Sequence, residues 1–294
     1  MSRNSRRKSA PSDVPQPTPQ ATPPNQPMQN PLHQQMQAAF GINLVTATEM
    51  VEPPSKGKFY DPSSTLHGRE NIEIKQMTAR EEDILSNQQF MLDGTIFDRL
   101  LSSIIVDKSI RVEELMSGDR NALLFAARIS GYGPEYIMKL PCPKCSKVCE
   151  FIFDLDKVST IHNIPEDVNF LESEGLFEFV LPMSELSVKV RVLTGADEEY
   201  LTQQKENAEK LGLENNHTIN MLRRAVVEVK GISDPATLNQ LFDVLPAIDS
   251  RKIRSVTNSV IPGLETKQSV ACGSCEKESV MEVPVTMGFF WPDV

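Results

Sequence analysis

Four of the five cysteines form two closely spaced pairs, Cys142-Pro-Lys-Cys145 and Cys272-Gly-Ser-Cys275. In a Cys-x-x-Cys turn two thiolates can converge on one ion, and zinc binds four such ligands in a closed tetrahedral site. The proline and the glycine inside the pairs favour the tight turns that such knuckles require. We therefore predict one structural zinc ion per chain, bound by Cys142, Cys145, Cys272 and Cys275.

Two other interpretations of these cysteines remain open. They could be two independent redox dithiols, or ordinary thiols left from a metal site that no longer binds an ion. A thioredoxin-like dithiol lies at the start of a helix in a β-α-β unit, whereas both pairs here lie between strand-like segments. The basic N-terminus is not followed by an apolar segment, so we expect no secretory signal and a reducing compartment, where disulfide frameworks are rare. Cys149 is expected to be a small buried residue rather than a fifth ligand, and Ser279 holds the matching position after the second pair.

The wide separation of the two pairs is explained by an internal repeat. Residues 188–201 match residues 72–85: each segment has an alternating strand pattern, a threonine cap and an acidic first helical turn. The cysteine pairs lie 130 positions apart, and so do Asp119 and Asp249, which each precede a helical pattern. The sequence therefore predicts an α+β fold of two duplicated strand-helix-helix-β-hairpin repeats, joined by the four-cysteine zinc site.

Composition divides the rest of the chain. Residues 1–36 are rich in Pro, Gln, Asn, Ser and Thr, which is typical of disorder. Prolines and Gly57 in residues 52–62 indicate an extended, turn-rich strap laid on a surface. We predict a disordered tail with a short helix near 34–40 (1–50), the strap (51–70), the first repeat (71–160), a connector (161–186), the second repeat (187–286) and an aromatic C-terminal anchor (287–294).

Within the first repeat we expect a strand over residues 71–77, helices over 78–89, 94–107 and 120–130, and a hairpin formed by 135–140 and 148–155. Asp119 is expected to cap the third helix. In the second repeat, Met221, Leu222, Val226 and Val227 are expected on one helix.

The C-terminus concentrates apolar surface, including the only tryptophan, in its last residues. Such a segment either folds back onto its own core or inserts into a partner, as aromatic anchors do. We assign Phe289, Phe290 and Trp291 to partner binding, with folding back as the alternative.

Signatures of catalysis are missing from the sequence. It contains no G-x-S-x-G, GxxxxGK[ST], HExxH or GxGxxG motif, and its four histidines are scattered. The acidic runs at 81–83 and 197–199 fall in first helical turns, where they complement the helix dipole. We therefore expect neither an enzyme nor a small-molecule substrate.

Charge and hydropathy limit the possible partners. The net charge of −10 and the pI near 5.0 disfavour binding to a phosphate backbone, so nucleic acid is an unlikely partner. No apolar run is long enough to span a bilayer. The alternative function is a zinc-ribbon nucleic-acid-binding or transcription-associated module, with the basic residues of the tail as its contact: Arg3, Arg6, Arg7 and Lys8.

Four segments together resemble the T4-like phage baseplate proteins, the small hub subunits or hub-assembly proteins of contractile tails. They are the strap sequence PPSKGKFY, the strand-helix sequence MTAREEDIL, the CPKC knuckle and the terminal MGFFWP. The resemblance runs from about residue 51 to the C-terminus. It implies a non-enzymatic structural or assembly role and contacts with other phage baseplate and tail proteins. It also implies synthesis in the host cytoplasm, followed either by incorporation into the virion's tail baseplate or by action during its assembly alone.

Overall fold

The computed structural model describes residues 46–214 and 216–290. The predicted tail with its short helix lies outside these residues, and so does Trp291. The described body begins earlier than the predicted residue 71, because β1 (Thr48–Val51) pairs antiparallel with β2 (Ile72–Lys75). The segment just before the strap is therefore a strand of the fold, which corrects the boundary we placed at residue 50.

The first half of the body continues with four helices and one long hairpin. The helices are α1 (Ala79–Leu85), α2 (Gln88–Leu92), α3 (Ile96–Ile104) and α4 (Ser117–Tyr132). The hairpin is formed by β3 (Glu135–Pro141) and β4 (Val148–Asp154), as predicted. The helix expected over 94–107 is shorter because Ile105 leaves it and bridges to Ile74 of β2.

The second half is a four-stranded antiparallel sheet followed by helices and a second hairpin. The sheet has the order β6-β7-β8-β9, formed by Asn169–Leu171, Leu176–Val180, Ser187–Val190 and Val226–Val229. Between β8 and β9 lie α5 (Gly195–Leu211) and α6 (His217–Ala225); after β9 come α7 (Pro235–Val244) and α8 (Ala247–Ser259). The second hairpin pairs β11 (Lys267–Ala271) with β12 (Glu278–Glu282), and β10 (Gly263–Glu265) pairs with β5 (Ser159–Ile161).

Two predictions for the second half are wrong. Residues 161–186 are not a connector, because β6 and β7 belong to the largest sheet and Phe177 and Phe179 are buried in the core. Val226 and Val227 are on β9 rather than on a helix, because Val226 pairs with Val190 of β8. None of the described helices is long and apolar enough to cross a bilayer.

Both predicted threonine caps are present, and each is part of a capping box. Thr78 and Glu81 cap α1, and Glu81 also accepts hydrogen bonds from Lys75 Nζ and Ser103 Oγ. Burial alone would raise the pKa of Glu81, but these donors outweigh it and lower the pKa to about 2. Thr194 and Asp197 make the same box at the start of α5.

One side of the strap is buried in the body, including Ser55, Phe59 and Tyr60, while Lys56, Lys58 and residues 61–63 stay exposed. The strap is therefore part of the core rather than a segment laid on a surface, which corrects its prediction. The ring of Phe59 packs edge-on against Phe170, at 4.9 Å between ring centroids, and lies 5.4 Å from Phe177. Gly175 permits this approach, since a Cβ there would come within 2.6 Å of the Tyr60 carbonyl oxygen. The strap therefore packs against the four-stranded sheet of the second half.

A buried carboxylate ties the strap to the first half. Asp119 does not cap α4, which begins at Ser117; its carboxylate instead accepts hydrogen bonds from Ser55 N (2.9 Å), Ser55 Oγ (2.5 Å) and the Tyr60 hydroxyl (2.6 Å). Burial and the neighbouring carboxylate raise the pKa of Tyr60, so its hydroxyl stays protonated and donates. The same hydroxyl oxygen accepts a bond from Met116 N at 3.0 Å.

We expect Tyr60→Phe to lower the free energy of unfolding by about 1–3 kcal/mol, because it leaves the Asp119 carboxylate and the Met116 N–H short of one buried partner each. Urea denaturation measures the change. Tyr132→Phe is the matched control, since its hydroxyl makes only a 3.4 Å surface contact with Glu82. Equal stability losses in the two variants would contradict this role of the strap.

Candidate metal centre

The two cysteine pairs occupy equivalent turns at the ends of the two hairpins. In each turn the first cysteine accepts, through its carbonyl, a bond from the residue four positions on: Ser146 N to Cys142 and Glu276 N to Cys272, both 2.8 Å. Ser146 and Glu276 also share a left-handed conformation, with φ of 59° and 58°. Neither pair lies at a helix N-terminus, where a thioredoxin-like dithiol would be found.

The four predicted ligand sulfurs converge on one point. Their Sγ atoms all lie within 4.8 Å of one another, with 3.9 Å between Cys142 and Cys275 and 3.9 Å between Cys145 and Cys272. A tetrahedral ion with metal–sulfur bonds of about 2.3 Å requires sulfurs about 3.8 Å apart. The separation therefore fits a single ion with four thiolate ligands and no open position.

Hydrogen bonds prepare part of this cluster to carry negative charge. The backbone N–H groups of Ser274 and Cys275 lower the pKa of Cys272 to about 6. For Cys145, the Lys147 N–H favours the thiolate, but desolvation and the neighbouring thiols raise the pKa to about 12. Four thiolates at this distance repel one another, so a cation is needed to ionise all of them together.

Contacts away from the sulfurs hold the hairpins side by side. The Gln268 carboxamide on β11 accepts a bond from Asp154 N (3.0 Å) and donates one to Asp154 O (2.7 Å) at the end of β4. The Tyr136 hydroxyl of β3 donates to the Pro284 carbonyl at 3.1 Å. These positioning residues were not predicted, because a single polar side chain that pairs with a distant backbone leaves no periodic signal in a sequence.

Cys149 is partly exposed rather than buried as predicted, and it lies beside the cluster. Its Sγ is 3.6 Å from Cys272 Sγ and 3.2 Å from Ser274 Oγ. Ser279, its counterpart in the second hairpin, is buried, and its hydroxyl has no hydrogen-bond partner among the described residues. The cluster thus has a fifth sulfur on one side only.

None of the histidines in the described part of the chain joins the cluster. Within residues 46–214 and 216–290, the four cysteines are the group of metal-binding side chains that lies close enough together to hold an ion. His67 Nδ1 lies 2.9 Å from the Tyr60 carbonyl, and His162 Nε2 contacts the Pro54 carbonyl, so both contact the strap. His217 begins α6, and His33 lies outside the described residues.

The C-terminal rings are packed into the chain's own core. Phe289 and Phe290 are fully buried, and the Phe289 ring lies 5.0 Å from that of Phe125 and 5.2 Å from that of Tyr136. Arg128 of α4 donates through Nε to the Phe289 carbonyl at 2.7 Å. Partner binding by these two rings does not fit this arrangement, because they have no exposed surface to offer; folding back is the alternative that describes them.

We expect Phe289→Ala to lower the free energy of unfolding by about 3–5 kcal/mol, because it leaves a cavity in the core. Val280→Ala is the control: this side chain is 69% exposed, and surface truncations usually change stability by less than about 0.5 kcal/mol. Thermal or urea denaturation compares the two variants. A Phe289→Ala protein as stable as the control would indicate that the ring is not a core residue in solution.

Comparison with known proteins places this body in one family. A family model described as T4 bacteriophage base plate protein matches residues 48–291. No match was found among curated proteins or among solved structures. The matched range contains both hairpins, the strap and the buried C-terminal rings, and it covers most of the chain. The chain therefore belongs to the T4 bacteriophage base plate protein family.

Proposed function

We propose that this chain is a non-enzymatic structural or assembly subunit at the hub of a contractile phage tail baseplate, acting through contacts with other baseplate and tail proteins. The observation that carries the proposal is the family match over residues 48–291. The assignment to the hub rests on the resemblance of the strap, the strand-helix segment and the terminal sequence to hub and hub-assembly proteins. The expected places of action are the host cytoplasm during assembly and the virion's tail baseplate.

The use of the buried carboxylates supports a role without catalysis. Asp119 is occupied by the strap, and Asp249 accepts bonds from Met183 N (2.8 Å) and Ser184 N (3.0 Å). Asp197 forms a two-point ion pair with Arg191, at 2.7 and 2.8 Å, in addition to its capping box. A general acid or base needs a polar atom free to reach a substrate, whereas these carboxylates are engaged by their own fold.

Deletion of the gene in the phage tests the baseplate role. We expect lysates that lack the protein to accumulate tails without complete baseplates, visible by electron microscopy, and a plasmid copy of the gene to restore particles. Normal infectious particles from the deletion phage would overturn the proposal.

Zinc is the ion that we propose for the cysteine cluster. The donor set of four thiolates, the tetrahedral spacing and the closed geometry support a structural zinc rather than a hard cation, which prefers oxygen ligands. All four ligands come from one chain, so the site needs no partner subunit to complete it.

We expect the purified protein to contain one zinc ion per chain, and Cys142→Ser to lose it because the site is left with three thiolates. Elemental analysis measures the content. Hydrogen exchange should become faster in both hairpins of the variant, since the ion no longer joins them. Cys149→Ser is the matched control, because it removes a thiol next to the cluster but no ligand. Zinc loss equal in both variants, or no zinc in the wild type, would contradict the assignment.

We propose the internal duplication because corresponding residues in the two halves make the same local contacts. The Glu81 box is completed by Lys75 and the Asp197 box by Arg191, each cation lying six positions before its carboxylate. Asp119 and Asp249 are both buried and both bind the N–H groups of a loop that precedes a strand. The two loops each contain a left-handed residue just after a serine, Lys56 and Glu185. Together with the equivalent knuckles, these pairs support two copies of one ancestral unit.

The strap is the main difference between the proposed copies. In the first, the loop between β1 and β2 contains the whole strap; in the second, the loop between β7 and β8 spans only residues 181–186. The longer loop packs its aromatic residues against the sheet of the other copy. The insertion therefore supports a function as the internal link between copies, rather than as an arm that reaches a neighbouring protein.

A further inference from the structure

We propose that Cys149 makes the metal centre sensitive to oxidation: a peroxide joins it to Cys272 in a disulfide and so removes one ligand from the ion. The inference rests on the proposed zinc site, and it adds a reaction to a centre that is otherwise closed. The juxtaposition that carries it is the 3.6 Å contact between the two sulfurs, closer than the 3.9 Å contacts between the ligand sulfurs.

Exposure determines which sulfur meets the oxidant first. Cys272 is 1% exposed and therefore shielded from a molecule in solution. Cys145, Cys149 and Cys275 are partly exposed, but of these three Cys149 alone is not a ligand of the proposed ion, so its sulfur is free to react. Oxidation of cysteine follows accessibility and thiolate character. Cys149 is thus the sulfur that reacts first with the oxidant. Cys272 is the nucleophile beside it, because the ion and the Ser274 N–H, at 3.4 Å, hold it as a thiolate.

The reaction balances with hydrogen peroxide as the two-electron oxidant. In the first step the Cys149 thiolate attacks one peroxide oxygen, the O–O bond breaks, and a sulfenic acid and hydroxide form. In the second step the Cys272 thiolate attacks the sulfenic sulfur, an S–S bond forms and a second hydroxide leaves. Two thiolates have then lost two electrons, and the ion retains three of its four ligands.

The second hairpin cannot react in this way. Ser279 holds the position equivalent to that of Cys149, and a serine hydroxyl is not oxidised by peroxide to a species that a thiolate can attack. Only one of the two cysteine pairs therefore has a neighbouring thiol that can form this disulfide. The chain offers its own conservative replacement, because serine is already accommodated at the equivalent position of the second hairpin.

The test uses the full-length zinc-loaded protein and hydrogen peroxide, with released zinc followed by a chromogenic chelator and disulfides mapped by mass spectrometry of unreduced peptides. We expect zinc release to accompany a Cys149–Cys272 disulfide, and Cys149→Ser to release zinc about tenfold more slowly, since the partly exposed thiol is lost. Equal release rates, or disulfides formed only within the Cys142–Cys145 and Cys272–Cys275 pairs, would overturn the proposal.

Two further measurements separate this inference from the zinc assignment. Ser279→Cys adds a thiol at a buried position of the second hairpin; in the Cys149→Ser background it should leave zinc release slow, because that thiol is shielded from the oxidant. Fast release in that double variant would contradict the exposure argument. If the protein binds no zinc at all, the zinc assignment fails alone, and a Cys149–Cys272 disulfide in the peroxide-treated metal-free protein would still support the sulfur pairing, whereas its absence would reject it.

Discussion

Two-stranded sheets are marginally stable in water on their own, and the described body contains four of them beside its one larger sheet. Such a body depends on ties between elements that are distant in the sequence. One of these is the hydrogen-bonded group around Asp119, whose fully buried carboxylate accepts three hydrogen bonds from the strap. Because an unpaired buried charge is very costly, Asp119 and the strap must be ordered together.

The strap connects the two halves because its two sides face different elements. Ser55 and Tyr60 bind α4 through Asp119, while Phe59 packs against rings of the four-stranded sheet. The C-terminal segment makes a second tie, since Phe289 lies against Phe125 of α4 and Tyr136 of β3. Both of these contacts involve α4, so this helix joins the strap to the C-terminal segment.

Local features of this fold could be predicted from the sequence, and contacts across the chain could not. The capping boxes at Thr78 and Thr194 and the hairpin turns are set by residues within four positions of one another, so their patterns were sufficient. The burial of the strap depends on Asp119, which lies 64 positions after Ser55. No sequence pattern in either segment indicates that the two are in contact. An acidic residue near a helix start is ordinarily a cap, so the sequence alone favours that role for Asp119.

The same distinction explains the mixed result at the candidate site. The four ligand cysteines were predictable because the equal spacing of the pairs supplied a reason for distant half-sites to meet, and the sulfurs do converge. The position of Phe289 and Phe290 was open, because an apolar C-terminus has the same composition whether it fills a core or binds a partner. Strand β7 (Leu176–Val180) alternates between more and less buried residues. The pattern covers only five residues and no predicted helix flanks it, so the sequence did not distinguish this strand from a connector.

The candidate metal centre differs from the other links between the halves, because its contribution would depend on the supply of an ion from outside the chain. The burial of Phe289 and the bonds of Asp119 need no ligand, whereas a four-thiolate site needs both a cation and ionised sulfurs. Without an ion, the opposite pKa shifts of Cys272 and Cys145 leave some sulfurs protonated. The strap and the C-terminal rings still join the halves in that state. A bound ion would therefore add to the Gln268 and Tyr136 contacts that orient the two hairpin ends, while the folding of the body rests on the buried carboxylate and the core.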